Sequence, residues 1–286
     1  MLTVTHGLDS RALTAIAALE REVVAADGGR LKLEWGVLER RTTFDVDLLW
    51  WDGDRLLGFL GVYAFGPPDV ELAGMVAPAA RRRGVGTALL ESARPLVRAR
   101  GYERLLLVTP TVAAPSSAGR AFAQRQGAEL DHSEHFLVLG ATPGGADRNA
   151  AVVLRVAREQ DRKDVRRLLK GAFGGDPQVD VLHRHGDTTY VAELAGVAVG
   201  TVRLSLHGTS KGHPATGAVY GFGVDPAYQG RGIGRDVLER CCRLLRAQGC
   251  DRVTLEVETA NDTALGLYLS TGFEKEAGED YWALVP

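Results

Sequence analysis

One short sequence occurs twice in this chain, in a single register. Residues Val76 to Gly86 read Val-Ala-Pro-Ala-Ala-Arg-Arg-Arg-Gly-Val-Gly, and Val224 to Gly234 read Val-Asp-Pro-Ala-Tyr-Gln-Gly-Arg-Gly-Ile-Gly, each position 148 residues from its counterpart. Each copy follows an apolar run and opens an amphipathic segment, the order strand, glycine turn, helix. Such a turn lets main-chain N–H groups approach a phosphate closely, and the helix start adds its partial positive charge. At 286 residues the chain exceeds one domain of usual size, and the offset halves it into two domains of about 140 residues.

The order of elements repeats as well. In the first half a helix is expected over 9–26, strands over 44–51 and 56–63 flanking a turn at Gly53, a strand over 70–76, a helix over 85–100, a strand over 105–109, a short helix ending at Gly127 and a strand over 136–139. In the second half the strand 152–156, the helix 161–173, a hairpin over 189–206 turning at Gly196, the strand 219–224, the helix 233–248, the strand 253–258, the helix 262–271 and a closing hairpin follow suit. Residues 141–149, with Pro143, Gly144 and Gly145, have linker composition, which places the domains at 1–143 and 150–286. The class is α/β in the α+β sense, because consecutive strands mostly form hairpins.

Composition narrows the functions. Hydrophobic content of 45% supports a packed core in each half, and a net charge of -2 supplies no basic field for nucleic acid or membrane lipid. Cys241, Cys242 and Cys250 lack metal-ligand spacing, and Cys241 shares the apolar stripe of Ile233, Val237 and Leu245, so reduced core thiols are expected. His183 and His185 have no third ligand nearby, and no metal is expected. The start of the chain has no signal-peptide core and no apolar run approaches a membrane span, so a cytoplasmic protein is expected.

The turn itself excludes two nucleotide chemistries. A dinucleotide fold needs Gly-x-Gly-x-x-Gly after its first strand, whereas here Gly-x-Gly follows the fourth; a phosphate-loop NTPase needs Gly-Lys-Ser or Gly-Lys-Thr, absent from both copies. The pattern Arg/Gln-x-x-Gly-x-Gly/Ala does fit, at Arg81, Gly84 and Gly86 and at Gln229, Gly232 and Gly234. With Leu255-Glu256-Val257, Asn261, Leu267-Tyr268 and Gly272-Phe273, the chain resembles the GNAT superfamily of N-acetyltransferases in tandem, a doubled layout similar to that of the mycothiol synthase family.

The resemblance implies, for each half, a mixed, mostly antiparallel sheet splayed between its fourth and fifth strands, flanked by helices, with the pantetheine of acetyl-CoA in the gap. Phe222, Gly223 and Val224 are then the strand groups beside the thioester, with a bulge at the glycine, and Gln229, Gly230, Arg231, Gly232, Ile233, Gly234 and Arg235 form the diphosphate turn. Asn261 matches a cofactor-contacting asparagine, Tyr268 the acid that protonates the leaving thiolate, and Glu256 a base. The superfamily's common glutamate, six residues before the motif valine, is Ala218 here. In the first half Val76, Arg81, Arg82, Arg83, Gly84, Val85, Gly86 and Thr87 are the corresponding cofactor residues, but Val108 replaces Glu256, Pro110 replaces Glu258, Ser116 replaces Asn261 and Ala123 replaces Tyr268. Glu71, one position from the common base site, reads as a residue of the sheet face.

The expected function is acetyl transfer to a primary amine of a small molecule or peptide, with the chemistry in the second half and the first half degenerate. The alternative is a noncatalytic acyl-CoA-binding sensor or interaction module. Acceptor walls are expected at 174–186 and 274–281, where Glu274, Glu276, Glu279 and Asp280 would attract a cation. The sequence leaves the acceptor's identity and the oligomeric state open.

Overall fold

The computed structural model describes residues 1–42, 45–64, 68–111, 118–145, 147, 149–175, 177, 180–183, 186–209 and 211–286. They form two compact units, Met1–Glu134 with Ala277–Pro286, and His135–Glu276. This division differs from the 143/150 boundary, because two strands pass from one unit to the other: β6 (Glu129–Leu139) and β12 (Phe273–Leu284). Pro143, Gly144 and Gly145 lie within the second unit. The expected closing hairpin is instead the single strand β12.

In the first unit β1 (Leu2–Thr5), β2 (Asp47–Asp52), β3 (Arg55–Tyr63) and β4 (Asp69–Val76) pair antiparallel in turn, and β4 then pairs parallel with β5 (Arg104–Pro110). Glu279 to Leu284 of β12 run antiparallel beside β5, followed by β6. The period-two alternation of β4 and β5 sends Leu72, Leu105 and Leu107 to one face, under α3 (Val85–Arg98), and Ala73, Met75, Leu106 and Val108 to the other, under α1 (Ser10–Asp27). Asp9 caps α1 by accepting from the Ala12 amide at 2.7 Å. Two short elements escaped the sequence reading: β1, and the single turn α2 (Trp35–Leu38). A further short helix, α4 (Ala118–Arg125), follows β5.

The second unit repeats the plan. Strands β7 (Val152–Val156), β8 (Thr188–Leu194), β9 (Val197–His207) and β10 (Thr216–Val224) are successive antiparallel neighbours, and β10 lies parallel to β11 (Arg252–Glu258). Helix α5 (Arg162–Phe173) covers one face and α6 (Ile233–Ala247) the other, with α7 (Asp262–Thr271) after β11. Cys241, Cys242 and Cys250 are free and buried against the α6 core. Burial raises the pKa of all three thiols, that of Cys242 to about 12.

One glycine sets the distance between α5 and the sheet. A Cβ at Gly223 would lie 2.6 Å from the Ala172 Cβ, so only glycine lets the helix approach this strand. Gly223→Val is expected to cost about 1–3 kcal/mol of overpacking, measurable as a lowered midpoint in urea with unchanged slope.

Candidate active site

Each glycine turn alternates left-handed residues. In the second unit a single 3₁₀ turn, Pro226–Tyr228, precedes Gln229, and then Gly230 (φ 73°) and Gly232 (φ 76°) flank Arg231 before α6 begins. In the first unit Pro78–Ala80 precedes Arg81, and Arg82 (φ 63°) and Gly84 (φ 84°) flank Arg83 before α3. This alternation turns successive N–H groups inward, making a concave amide nest at a helix start. Arg82 holds a conformation that costs an L-residue about 1–2 kcal/mol.

The side chains at the turns hold them to the strands. Gln229 Nε2 donates to the Val224 carbonyl at 3.0 Å, and Arg81 Nε donates to the equivalent Val76 carbonyl at 3.1 Å. Arg81 also donates to both oxygens of Asp27, at 2.8 and 2.7 Å, so its charge is answered within the protein. Arg82, Arg83 and Thr87 are exposed, while Val85 and Ile233 anchor their helices in the cores. Arg231 lies over the Tyr228 ring at 5.2 Å, and Arg235 donates to the carbonyl and hydroxyl of Ser270 at 2.9 and 2.7 Å, tying α6 to α7.

Beside each turn the sheet opens. The β10–β11 ladder ends at Val219↔Leu255, although β10 continues to Val224 and β11 to Glu258; in the first unit the β4–β5 ladder ends at Ala73↔Val108. Phe222 and Val224 therefore have no ladder partner in β11. A Cβ added at Gly234 would find Leu267, Val224 and Phe222 at 3.5, 3.6 and 3.8 Å, which places the turn, the strand end and α7 around one point. In the first unit a cavity of about 760 Å³ runs through the opening, from Arg82, Gly84 and Gly86 past Gly74 and Met75 to Val108 and Leu31.

The two fourth strands differ by a bulge. Between Tyr220 and Gly223, β10 carries one residue more than β9 opposite, and Gly221 there has φ 52°. The bulge thus precedes Gly223, at which the sequence placed it. Strand β4 pairs with β3 without interruption from Glu71↔Tyr63 to Val76↔Gly58. As a result the offset between the strands falls from 148 to 147 below the bulge: Glu71 pairs with Leu106 and Tyr63 as Ala218 pairs with Thr254 and Ser205. Glu71 therefore stands in the first unit where Ala218 stands in the second.

Tyr268 is buried on α7, edge-to-face with Phe273 at 6.2 Å between centroids, and burial pushes its pKa up to about 12. Its hydroxyl makes no hydrogen bond among the described residues. Leu255 and Val257 belong to the core that includes Tyr268, so the half-buried Glu256 between them projects to the opposite face of β11, as the first residue past the ladder. Tyr268 and Glu256 thus lie on opposite sides of β11. Asn261 caps α7, its Oδ1 accepting from the Ala264 amide at 3.1 Å.

The expected acidic acceptor wall is divided. Glu276 accepts from Arg252 at 2.7 and 2.8 Å in the second unit. Glu279 and Asp280 belong to the first, where Glu279 is fully buried against Arg30, and Asp280 accepts from Thr111 and Ser133 at 2.8 and 2.7 Å. Val108 and Ala123 are core residues of the first unit; Ser116 and His185 lie outside the described residues. No helix among the described residues is long and apolar enough to cross a membrane.

A mixed sheet opened after its fourth strand, with an amide nest at the start of the following helix, offers main-chain partners to an extended ligand and N–H donors to an anion. The sequence profile described as Acetyltransferase (GNAT) family matches residues 13–128 and 157–273, and the chain belongs to that family. It is 32% identical to a mycothiol acetyltransferase of Acidothermus cellulolyticus, over 94% of this chain and 90% of the relative, and 28% identical to that of Nocardia farcinica, over 94% and 93%. The fold is also that of a GCN5-related N-acetyltransferase from Sphaerobacter thermophilus (TM-score 0.71, 17% identity, covering 99% and 95% of the two chains) and of a tandem GNAT protein from the clavulanic acid biosynthesis pathway (0.70, 18%, 100% and 98%). The protein is an N-acetyltransferase, and this family uses acetyl-CoA.

Proposed function

We propose that the second unit transfers the acetyl group of acetyl-CoA to a primary amine, and that the first unit binds acetyl-CoA without turning it over. The observation that carries this reading is Tyr268: its ring packs in the core that also holds Leu255 and Val257, while its hydroxyl has no hydrogen-bond partner among the described residues and is not sealed in that core. A phenol held by its ring with its O–H uncommitted suits a proton donor. The core of the first unit has Ala123 at the position that the sequence matches to Tyr268, and so supplies no such group.

Acetyl-CoA supplies an activated acetyl thioester when bound. The amides of Gly230 to Gly234, with Arg231 and Arg235 alongside, suit its diphosphate, and the strand ends at Phe222, Gly223 and Val224 suit its pantetheine arm. Glu256 accepts the proton that the attacking ammonium must shed, and Tyr268 Oη donates a proton to the departing sulfur. Asn261 acts through α7, whose first turn it fixes and whose later turn carries Tyr268. The mycothiol acetyltransferases among the relatives favour a small-molecule acceptor over a peptide.

Calorimetric titration with acetyl-CoA is expected to give two equivalents per chain. Gly84→Asp, which sets a carboxylate in the first nest, should remove one equivalent and leave thiol release across a panel of small amines within about twofold of wild type. Loss of turnover in that variant would overturn the assignment of chemistry to the second unit.

A further inference from the structure

In the first unit Lys32 is buried, with only 7% of its surface exposed, and its ammonium is shared among groups from three strands. Its Nζ donates to the Tyr281 hydroxyl and lies 3.6 Å from a carboxylate oxygen of Glu71 and 3.6 Å from one of Glu134. Tyr281 Oη in turn donates to Glu134 Oε2 at 2.5 Å, and His132 stacks on the Tyr281 ring at 4.2 Å. Two carboxylates face this one ammonium. Burying such a group is expensive, and apolar residues of similar volume are often as stabilising or more so.

The place of the cluster gives it a use. Glu71 sits two residue pairs before the β4–β5 ladder ends at Ala73↔Val108, and Tyr281 is the ladder partner of Val108. Val108 and Leu31, the chain neighbour of Lys32, both line the cavity that leads from the first glycine turn. We propose that Glu71, Glu134 and Tyr281 form a primary-ammonium subsite at the acceptor end of the first unit, and that Lys32 occupies it as an internal substitute for the amine. The acceptor role rests on the reading that this unit binds acetyl-CoA. It accounts for a unit with an open cofactor groove that does not turn over: its acceptor position is filled by its own chain.

Lys32→Gly vacates the subsite, and n-butylammonium restores the four missing side-chain carbons and the charge. The melting temperature of this variant is expected to rise saturably by about 4 °C at tenfold excess over the dissociation constant, with no comparable rise for wild type, for 1-butanol in place of the amine, or for the variant that also carries Glu71→Gln. Should Lys32→Gly fold only in the presence of butylammonium, recovery with the amine and not with butanol supports the same conclusion. An equal response to butanol, an unchanged response in the Glu71→Gln background, or failure of recovery with both compounds overturns it. Acetyl-CoA stoichiometry of the same variant reads the cofactor groove separately: two equivalents are expected, and one equivalent overturns the acceptor role even where the amine shift is saturable.

Discussion

Replacing Tyr268 by Phe is expected to lower kcat for thiol release about 100- to 1000-fold, the usual worth of a positioned proton donor, with KM for either substrate nearly unchanged. Folding should survive, because the hydroxyl it removes has no hydrogen-bond partner among the described residues and the ring keeps its contact with Phe273. The pH dependence carries its own signature. Burial raises the phenol from 10.0 to about 12, so the donor stays protonated through pH 10 and should produce no alkaline loss of rate there. The sign for stability follows from the neutral form being favoured in the folded state: this contribution is complete below pH 10 and is lost as pH climbs from 10 through about 12. The Phe variant should lack that alkaline component. Steady-state kinetics with a thiol reagent, repeated across pH, measures both effects, and full turnover by Tyr268→Phe would remove the assigned acid.

Gly232→Asp should raise KM for acetyl-CoA about 100-fold. An added Cβ at this position meets no atom within 4 Å, so the new side chain fits, and its φ of 76° costs an aspartate about 1 kcal/mol. The dominant effect is charge: a carboxylate about 5 Å from a bound diphosphate is unfavourable by about 3 kcal/mol at an effective dielectric constant of about 20. Gly232→Ala carries the backbone cost without the charge and should lose far less. The difference between the two variants should shrink in high salt, and equal affinities would show that the diphosphate lies elsewhere.

The features legible in the sequence were those fixed by local chemistry. The paired Gly-x-Gly turns, the helices they open and the alternation of Leu72, Ala73, Leu107 and Val108 each depend on a few neighbouring residues, and the observed elements follow them closely. Register was hidden. A constant offset of 148 sets Glu71 against Val219, yet the bulge before Gly223 consumes one residue and brings Glu71 level with Ala218. A bulge is a pairing property, and Gly221 alone gave no sign of it beside Gly223. Tyr281 and Glu279 were hidden for a related reason: they follow the second glycine turn in sequence but pair with β5, whose residues precede it by over a hundred positions. The asymmetry between Tyr268 and Ala123 was visible, whereas the Lys32 cluster draws on strands and a loop that no single window contains.

The division of β12 between the units bears on how the protein is made. Residues 105–110 acquire their antiparallel neighbour from residues 279–284, so the early-synthesised half waits, with one flank of a hydrogen-bonding strand bare, until translation has passed the later half entirely. Such a nascent intermediate presents an unsatisfied edge for most of its time on the ribosome, and chaperone engagement would centre on that edge. Separate expression of the halves at their sequence boundary would make this transient exposure permanent.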